Sequence, residues 1–190
     1  MFDILQIVFW TVAYLLIIFY GIKYRQSSVL LMPLFAGILN LAWEMNATFF
    51  QRFSIGCALW AFLDLFIFIH NFRPLKQWKR VMYLVGLLII FFVLYLLFRT
   101  PAFNGMGITV FAIDILMAVE FILCAKRITP HGKIPIAVAK LLGDLFAWFH
   151  YLRNSSFIMV VGLIVLLLNT LYLAICLEEQ ASKRKKAQHR

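Results

Sequence analysis

The chain has 190 residues, of which 64% are hydrophobic and 14% are charged, and its formal net charge is +10. Average globular chains are about 45–50% apolar and about 25% charged, so a soluble domain of this size could not bury this much apolar surface. The composition therefore excludes an ordinary soluble domain and favours an integral membrane protein.

Apolar stretches long enough to cross a membrane occur along the whole chain. A spanning helix needs roughly 20 mostly apolar residues. Seven stretches approach this length, in chain order residues 3–22, 29–50, 53–72, 80–98, 105–125, 133–150 and 156–177. The sixth is the weakest, because Lys140 and Asp144 interrupt it. We predict an all-α, polytopic bundle of seven transmembrane helices over residues 1–177, followed by a basic cytoplasmic tail over residues 178–190.

The basic residues alternate between the two sides of this predicted bundle. One side carries only Arg52, Arg99 and Arg153, and the other carries fourteen: Lys23, Arg25, Arg73, Lys76, Lys79, Arg80, Lys126, Arg127, Lys133, Lys183, Arg184, Lys185, Lys186 and Arg190. Cytoplasmic loops carry the excess of Lys and Arg, which places the N-terminus outside and the C-terminus in the cytoplasm. This distribution indicates membrane lipids as partners of the basic tail and argues against nucleic acid.

A weak internal repeat relates the two ends of the chain. A shift of 105 residues aligns Trp43 with Trp148 and Asp64 with Asn169, and lays the first three spans over the last three. Because an odd number of spans separates them, both triplets have the same orientation. This predicts a 3+1+3 parallel repeat, with a site between the triplets at the membrane midplane.

Acidic side chains inside the spans are the first candidates for function, because ionisable groups are costly in a membrane. Glu44 shares one helix face with Asn40, and this polar seam is expected to face the bundle interior. Asp64 lies mid-span with no basic residue in its helix, so burial would favour its neutral, proton-donating form. Asp144 has Lys140 one turn before it, which allows either a structural ion pair or a catalytic role.

Aromatic side chains accompany these carboxyl groups, and their faces can stabilise a cation. We therefore predict Glu44, Asp64 and Asp144 as catalytic residues and a pocket wall of six further side chains: Asn40, Trp43, Trp60, Trp148, Asn169 and Tyr172. Four histidines and three cysteines have no metal-type spacing, so we expect neither a metal nor a cofactor.

One region of the chain resembles a known family. The run Met32-Pro33-Leu34, then Asn40-Leu-Ala-Trp43-Glu44, then Trp60-Ala-Phe-Leu-Asp64 resembles the membrane-bound terpene cyclases of fungal meroterpenoid and indole-diterpene biosynthesis and their bacterial relatives. The resemblance is good over about fifty residues and loose over the last three spans. Members are small seven-helix proteins with an MPL…NxxWE segment and a WxxxD segment.

The resemblance implies an activity, namely protonation of an epoxide or alkene in a prenylated substrate and cyclisation of the resulting carbocation. It makes Glu44 a proton donor or a part of its network. In its last helix the family has a DxxY pattern, whereas this chain has Asn169-Thr170-Leu171-Tyr172. Asparagine cannot supply a proton, so either Asp64 or Asp144 supplies it, or the chemistry differs.

Three functions therefore remain open at the level of sequence. The first is a metal-independent terpene cyclase or isomerase acting on a hydrophobic isoprenoid. The second is a small-solute transporter of 3+1+3 design, although few Gly or Pro residues interrupt the spans. The third is a non-catalytic lipid-binding membrane protein, which the asparagine at position 169 favours.

Overall fold

Seven α-helices form the described part of the protein in a computed structural model. The structure describes residues 2–24, 34–50, 55–98, 106–125, 132–151 and 156–188, and no strand occurs within these ranges. The helices are α1 (Phe2–Lys23), α2 (Leu34–Phe50), α3 (Ile55–Phe72), α4 (Gln77–Phe98), α5 (Met106–Cys124), α6 (Lys133–Tyr151) and α7 (Ser156–Gln188). The predicted all-α fold of seven helices is confirmed.

Four of these helices, α1, α3, α4 and α7, are long and apolar enough to cross a membrane. The outward faces of the bundle are apolar as well, and α4 shows this best, because Leu88, Ile89 and Phe92 are all exposed. Large exposed apolar faces of this kind mark a surface that is covered by lipid or by another protein. In contrast, α6 carries Lys133, Lys140 and Asp144, and all three are buried.

The helix bounds differ from the predicted spans mainly at α4 and α7. α4 begins at Gln77, and the Arg80 guanidinium donates from Nε to the Leu75 carbonyl at 2.8 Å in the turn before it. α7 is 33 residues long, about 50 Å, and continues as a helix through most of the predicted tail. Several predicted features lie outside the described residues: the start of the second span with Met32 and Pro33, and the basic residues Arg25, Arg52, Arg99, Lys126, Arg127, Arg153 and Arg190.

Helix pairing follows the predicted division into triplets. α2 packs on α3 and α6 packs on α7; likewise, α1 contacts α3 and α5 contacts α7. Between the triplets, α1 packs closely on α6, and α5 contacts α2. A two-fold relation between α1–α3 and α5–α7 would produce the same set of pairs, but the paired contacts differ in extent, since α1 packs far more extensively on α6 than α2 does on α5. α4 packs on α2 outside this relation.

Two glycines allow close approach between helices of this arrangement. A Cβ at Gly143 on α6 would strike the Trp10 ring of α1, and a Cβ at Gly162 on α7 would strike the Trp148 ring of α6. Small residues at such contacts let helix backbones approach, which matters where no water-driven collapse holds helices together. The two indole rings are thereby fixed against the helices that carry the polar residues of the core.

Candidate functional site

Four polar side chains from three helices meet in the core of the first triplet, and we call them the acidic cluster: Tyr14, Asn40, Glu44 and Asp64. The Tyr14 hydroxyl lies 3.1 Å from Glu44 Oε1 and 3.0 Å from Asp64 Oδ2. The Asn40 amide donates to the same two oxygens at 3.0 and 2.7 Å and also contacts the Tyr14 hydroxyl. All four residues are buried, with Glu44 1% and Asp64 2% exposed.

The two carboxyl groups of the acidic cluster lie close together, because both meet the same Tyr14 hydroxyl and the same Asn40 amide nitrogen. Two neighbouring carboxylates repel each other in a buried site, which favours a proton on one of them. No salt bridge in the described part of the chain involves either group, so uncharged donors hold this pair. The second oxygen of each carboxyl group, Glu44 Oε2 and Asp64 Oδ1, is buried and receives no donor from the described residues. Such a pair can hold and release a proton in an environment without water.

A second polar group, the lysine cluster, lies between α6 and α7 and consists of Lys140, Asp144 and Asn169. Lys140 Nζ donates to Asp144 Oδ2 at 3.2 Å and to Asn169 Oδ1 at 2.9 Å, and the Asn169 amide donates to Asp144 Oδ2. The i, i+4 pairing of Lys140 with Asp144 that the sequence suggests is present. Asp114 of α5 is buried nearby and interacts electrostatically with both charges of this pair.

A narrow cavity between α1, α5 and α6 touches both clusters. Tyr14 of the acidic cluster and Lys140 of the lysine cluster line it, and the rest of its wall is apolar: Trp10, Ala13, Ile17, Met117, Phe121 and Ile136. It has room for about one water-sized molecule. Glu44 and Asp64 lie behind Tyr14 and are not part of the wall. Tyr14 and Lys140 line the cavity with apolar atoms only, so Tyr14 places its ring at the cavity and its hydroxyl against the carboxyl pair.

The predicted catalytic residues thus fall into two groups. Glu44, Asp64 and the predicted binding residue Asn40 belong to the acidic cluster, whereas Asp144 and Asn169 belong to the lysine cluster. The repeat aligns Asp64 with Asn169, and each of these residues lies in the cluster of its own triplet.

The four predicted aromatic residues lie outside the cavity wall. Trp60 Nε1 donates to Thr11 Oγ1 at 3.2 Å, and Trp148 Nε1 donates to the Met159 carbonyl at 2.9 Å, so both tie neighbouring helices together. Trp43 is buried. Tyr172 packs edge-on against the wall residue Phe121, with ring centroids 5.3 Å apart.

Sequence reasoning missed the two α1 residues that matter most, Tyr14 and Trp10. Trp10 packs near Tyr14, with ring centroids 6.1 Å apart, and its ring lies 5.1 Å from Lys140 Nζ. A signal was present, because Gln6, Trp10 and Tyr14 follow each other at four-residue intervals on one face of an apolar helix. This stripe on α1 corresponds to the polar face that Asn40 and Glu44 form on α2.

Comparisons of the chain with protein-family models, with curated proteins and with solved structures find no match.

Proposed function

We propose that the protein is a membrane-embedded terpene cyclase-like enzyme, which starts cyclisation of a prenylated or epoxidised isoprenoid by protonating it. The observation that carries this proposal is the buried pair Glu44 and Asp64, which meets the hydroxyl of Tyr14, a residue whose ring lines an apolar, aromatic cavity. The resemblance of the segments around Glu44 and Asp64 to membrane-bound terpene cyclases supports the same reading.

The proposed proton path runs from the carboxyl pair through Tyr14. The Tyr14 hydroxyl gives its proton to an epoxide oxygen or alkene carbon of the substrate, and the carboxylic acid of the pair replaces that proton. The carbocation then forms a ring by attack of a substrate π bond and loses a proton, so the product is an isomer of the substrate. The Asn40 amide, which already donates to both carboxyl groups, stabilises the anion left on the pair.

Aromatic rings of the cavity wall can stabilise a positive charge. Lys140 Nζ lies 5.1 Å from the Trp10 ring centroid and 5.9 Å from that of Phe121, and Asp144 offsets the repulsion that this ammonium group would exert on a carbocation. A prenyl chain is wider than the narrow cavity, so its entry requires the flexible side chain of Met117 or the ring of Phe121 to move. Asp144 has a supporting part in this proposal, because it balances the charge of Lys140.

The test uses membranes that contain the protein, supplied with epoxidised prenyl substrates and analysed for cyclic isomers by mass spectrometry. We expect Glu44→Gln, Asp64→Asn and Tyr14→Phe each to lower product formation by about a hundredfold or more, the usual contribution of a general acid. Glu178→Gln, which changes an exposed glutamate on α7, is the matched control and keeps full activity. Unchanged product formation by Glu44→Gln would refute the role of the carboxyl pair.

We further propose that all seven helices lie in the membrane, with the N-terminus outside and the C-terminus in the cytoplasm. The fourteen-to-three bias of basic residues supports this orientation. Single cysteines introduced at Phe2 and at Lys185 test it with an impermeant thiol reagent on intact cells, in a background without the native cysteines. We expect labelling at position 2 alone, and labelling at position 185 alone would reverse the orientation.

A small-solute transporter is the second candidate, and the helix pairing favours it. The pairings between α1–α3 and α5–α7 are those of a two-fold related repeat, which many transporters use. Solute uptake into proteoliposomes that changes in the Asp64→Asn variant, together with the absence of a cyclic product in the membrane assay, would favour transport over catalysis.

A further inference from the structure

The second triplet buries one carboxyl group more than its lysine can balance. Lys140 and Asp144 form an ion pair at 3.2 Å, and the two residues are 2% and 0% exposed. Asp114 of α5 is 5% exposed and interacts electrostatically with both of them. Two carboxylates beside one ammonium group leave one uncompensated negative charge, which is strongly unfavourable in an apolar core.

Packing on both sides of Asp114 along α5 places this residue at the level of the ion pair. Phe111, about one turn before it, belongs to a buried cluster that includes Ala147 of α6. Phe121, about two turns after it, has its ring centroid 5.9 Å from Lys140 Nζ. Asp114 therefore lies between two points at which α5 approaches the part of α6 that carries the ion pair.

The described residues offer neither another cation nor a metal site to balance this charge. α5 packs on α2 and α7. The single charged residue of α2 is Glu44, which belongs to the acidic cluster, and α7 has none before Glu178, about 13 Å beyond Asn169 along the helix. No group of three or more His, Cys, Asp or Glu side chains that could hold a metal ion occurs in the described part of the chain. A proton is therefore the ligand that fits this site.

The hydrogen bonds of the ion pair determine which carboxyl group holds the proton. Asp144 Oδ2 accepts hydrogen bonds from Lys140 Nζ and from the Asn169 amide, and such donors favour the ionised form. Asp114 has no hydrogen bond to another described side chain, so its anion is the less stabilised of the two. Asp144 Oδ1 is buried and receives no donor from the described residues, so the site also lacks a hydrogen that a proton would supply.

We propose that the second triplet contains a proton-binding site, in which Asp114 holds one proton beside the ion pair of Lys140 and Asp144. This site goes beyond the proposed function, which uses the acidic cluster for its proton. Asp114 shares a helix face with Met117 and Phe121, which line the cavity. Each triplet then holds a proton in its core, one in the acidic cluster and one at Asp114.

The test counts protonated aspartic acids by infrared spectroscopy of the purified protein at neutral pH, because only the neutral acid shows the C=O stretching band of a carboxylic acid. Aspartate labelled with ¹³C in its side-chain carboxyl group separates the aspartates from the glutamates. We expect Asp114→Asn to lose the intensity of one protonated acid. Asp144→Asn should lose the same intensity, because the Asp114 carboxylate then balances Lys140. Lys140→Met should gain the intensity of one, because both carboxyl groups must then be neutral.

Asp3→Asn changes an exposed aspartate and is the matched control, which leaves the band unchanged. Three variants keep the test decisive even where one of them does not fold. An unchanged band in Asp114→Asn would overturn the proposal, and so would an unchanged band in Asp144→Asn, since burial alone would then keep Asp114 neutral. Loss of the band on addition of NaCl would overturn it in favour of a sodium site. The band is read without substrate, so its outcome is independent of whether a cyclic product forms.

Discussion

Polar side chains of the two buried clusters bond to one another, although Glu44 Oε2, Asp64 Oδ1 and Asp144 Oδ1 have no partner among the described residues. The Asn40 amide nitrogen contacts three neighbouring side chains, and Lys140 Nζ donates hydrogen bonds to both Asp144 and Asn169. In an apolar environment an unpaired polar group costs several kcal/mol, so each partner stabilises the others. The two clusters differ in kind, because the acidic cluster has no cation whereas the lysine cluster contains its own counter-ion.

The lysine cluster allows a test of this dependence by a double-mutant cycle. Lys140→Met leaves Asp144 buried without its cation and should lower the free energy of unfolding by about 3–5 kcal/mol. The double variant Lys140→Met/Asp144→Leu removes both charges, and we expect it to be more stable than Lys140→Met alone. Unfolding in mixed micelles of rising SDS content measures all the variants. If the effects of Lys140→Met alone and Asp144→Leu alone add up to the effect of the double variant, the two residues are not energetically coupled.

Packing between the helices depends on glycines, which have no side chain. The contact of α6 with α1 requires Gly143 opposite Trp10, and the contact of α7 with α6 requires Gly162 opposite Trp148. The α5–α6 connection has a further requirement, because Gly132 has φ +86° and lies against the Tyr20 ring. Such positive φ angles favour glycine.

Alanine substitution should therefore have opposite effects at different helical glycines. At Gly143 the new methyl group would displace the Trp10 ring, and we expect a loss of about 1–3 kcal/mol in the free energy of unfolding. Gly86 of α4 is the matched control, because a Cβ there meets nothing within 4 Å. Gly86→Ala should stabilise the protein by up to about 1 kcal/mol through helix propensity. Thermal unfolding in detergent compares the two, and equal effects would contradict the close contact.

At the scale of the whole molecule, the two triplets share one apolar core but bury different polar clusters. The first triplet contains the acidic cluster and the second contains the lysine cluster, and the cavity touches both at the contact of α1 with α6. α4 has no counterpart in the two-fold relation between the triplets. It is linked to α2 by the Asn46 amide, which donates to the carbonyl of Ala42 in its own helix at 2.9 Å and to the carbonyl of Phe91 in α4 at 3.0 Å. A division of this kind predicts that distant parts of the bundle contribute independently.

Independence can be measured with two asparagines that occupy different triplets. Asn46→Ala breaks the link between α2 and α4, and Asn169→Ala breaks the link between α7 and α6. Each should cost about 1–3 kcal/mol, and the double variant should equal their sum within about 0.5 kcal/mol. SDS-induced unfolding again gives the values. A large departure from additivity would indicate that the two links are coupled through the core that the triplets share.

The sequence by itself determined the helices, because runs of about 20 apolar residues leave the backbone few other ways to satisfy its hydrogen bonds in lipid. It also determined the pairs that lie one turn apart on a single helix, Asn40 with Glu44 and Lys140 with Asp144, since helical periodicity fixes their common face. The basic bias and the predicted 3+1+3 repeat depend on the same one-dimensional pattern.

Only the tertiary structure decided which helices bring these pairs together. Tyr14 lies 30 residues from Glu44 and 50 from Asp64, and helical spacing within one segment carries no information about such a meeting. Packing of α1 against both α3 and α6 places its polar stripe between the two clusters, and this separates Asp144 from Glu44 and Asp64. The physical reason is that side-chain shape, such as a glycine facing Trp10, selects the partner helix, whereas hydrophobicity alone is satisfied by many arrangements.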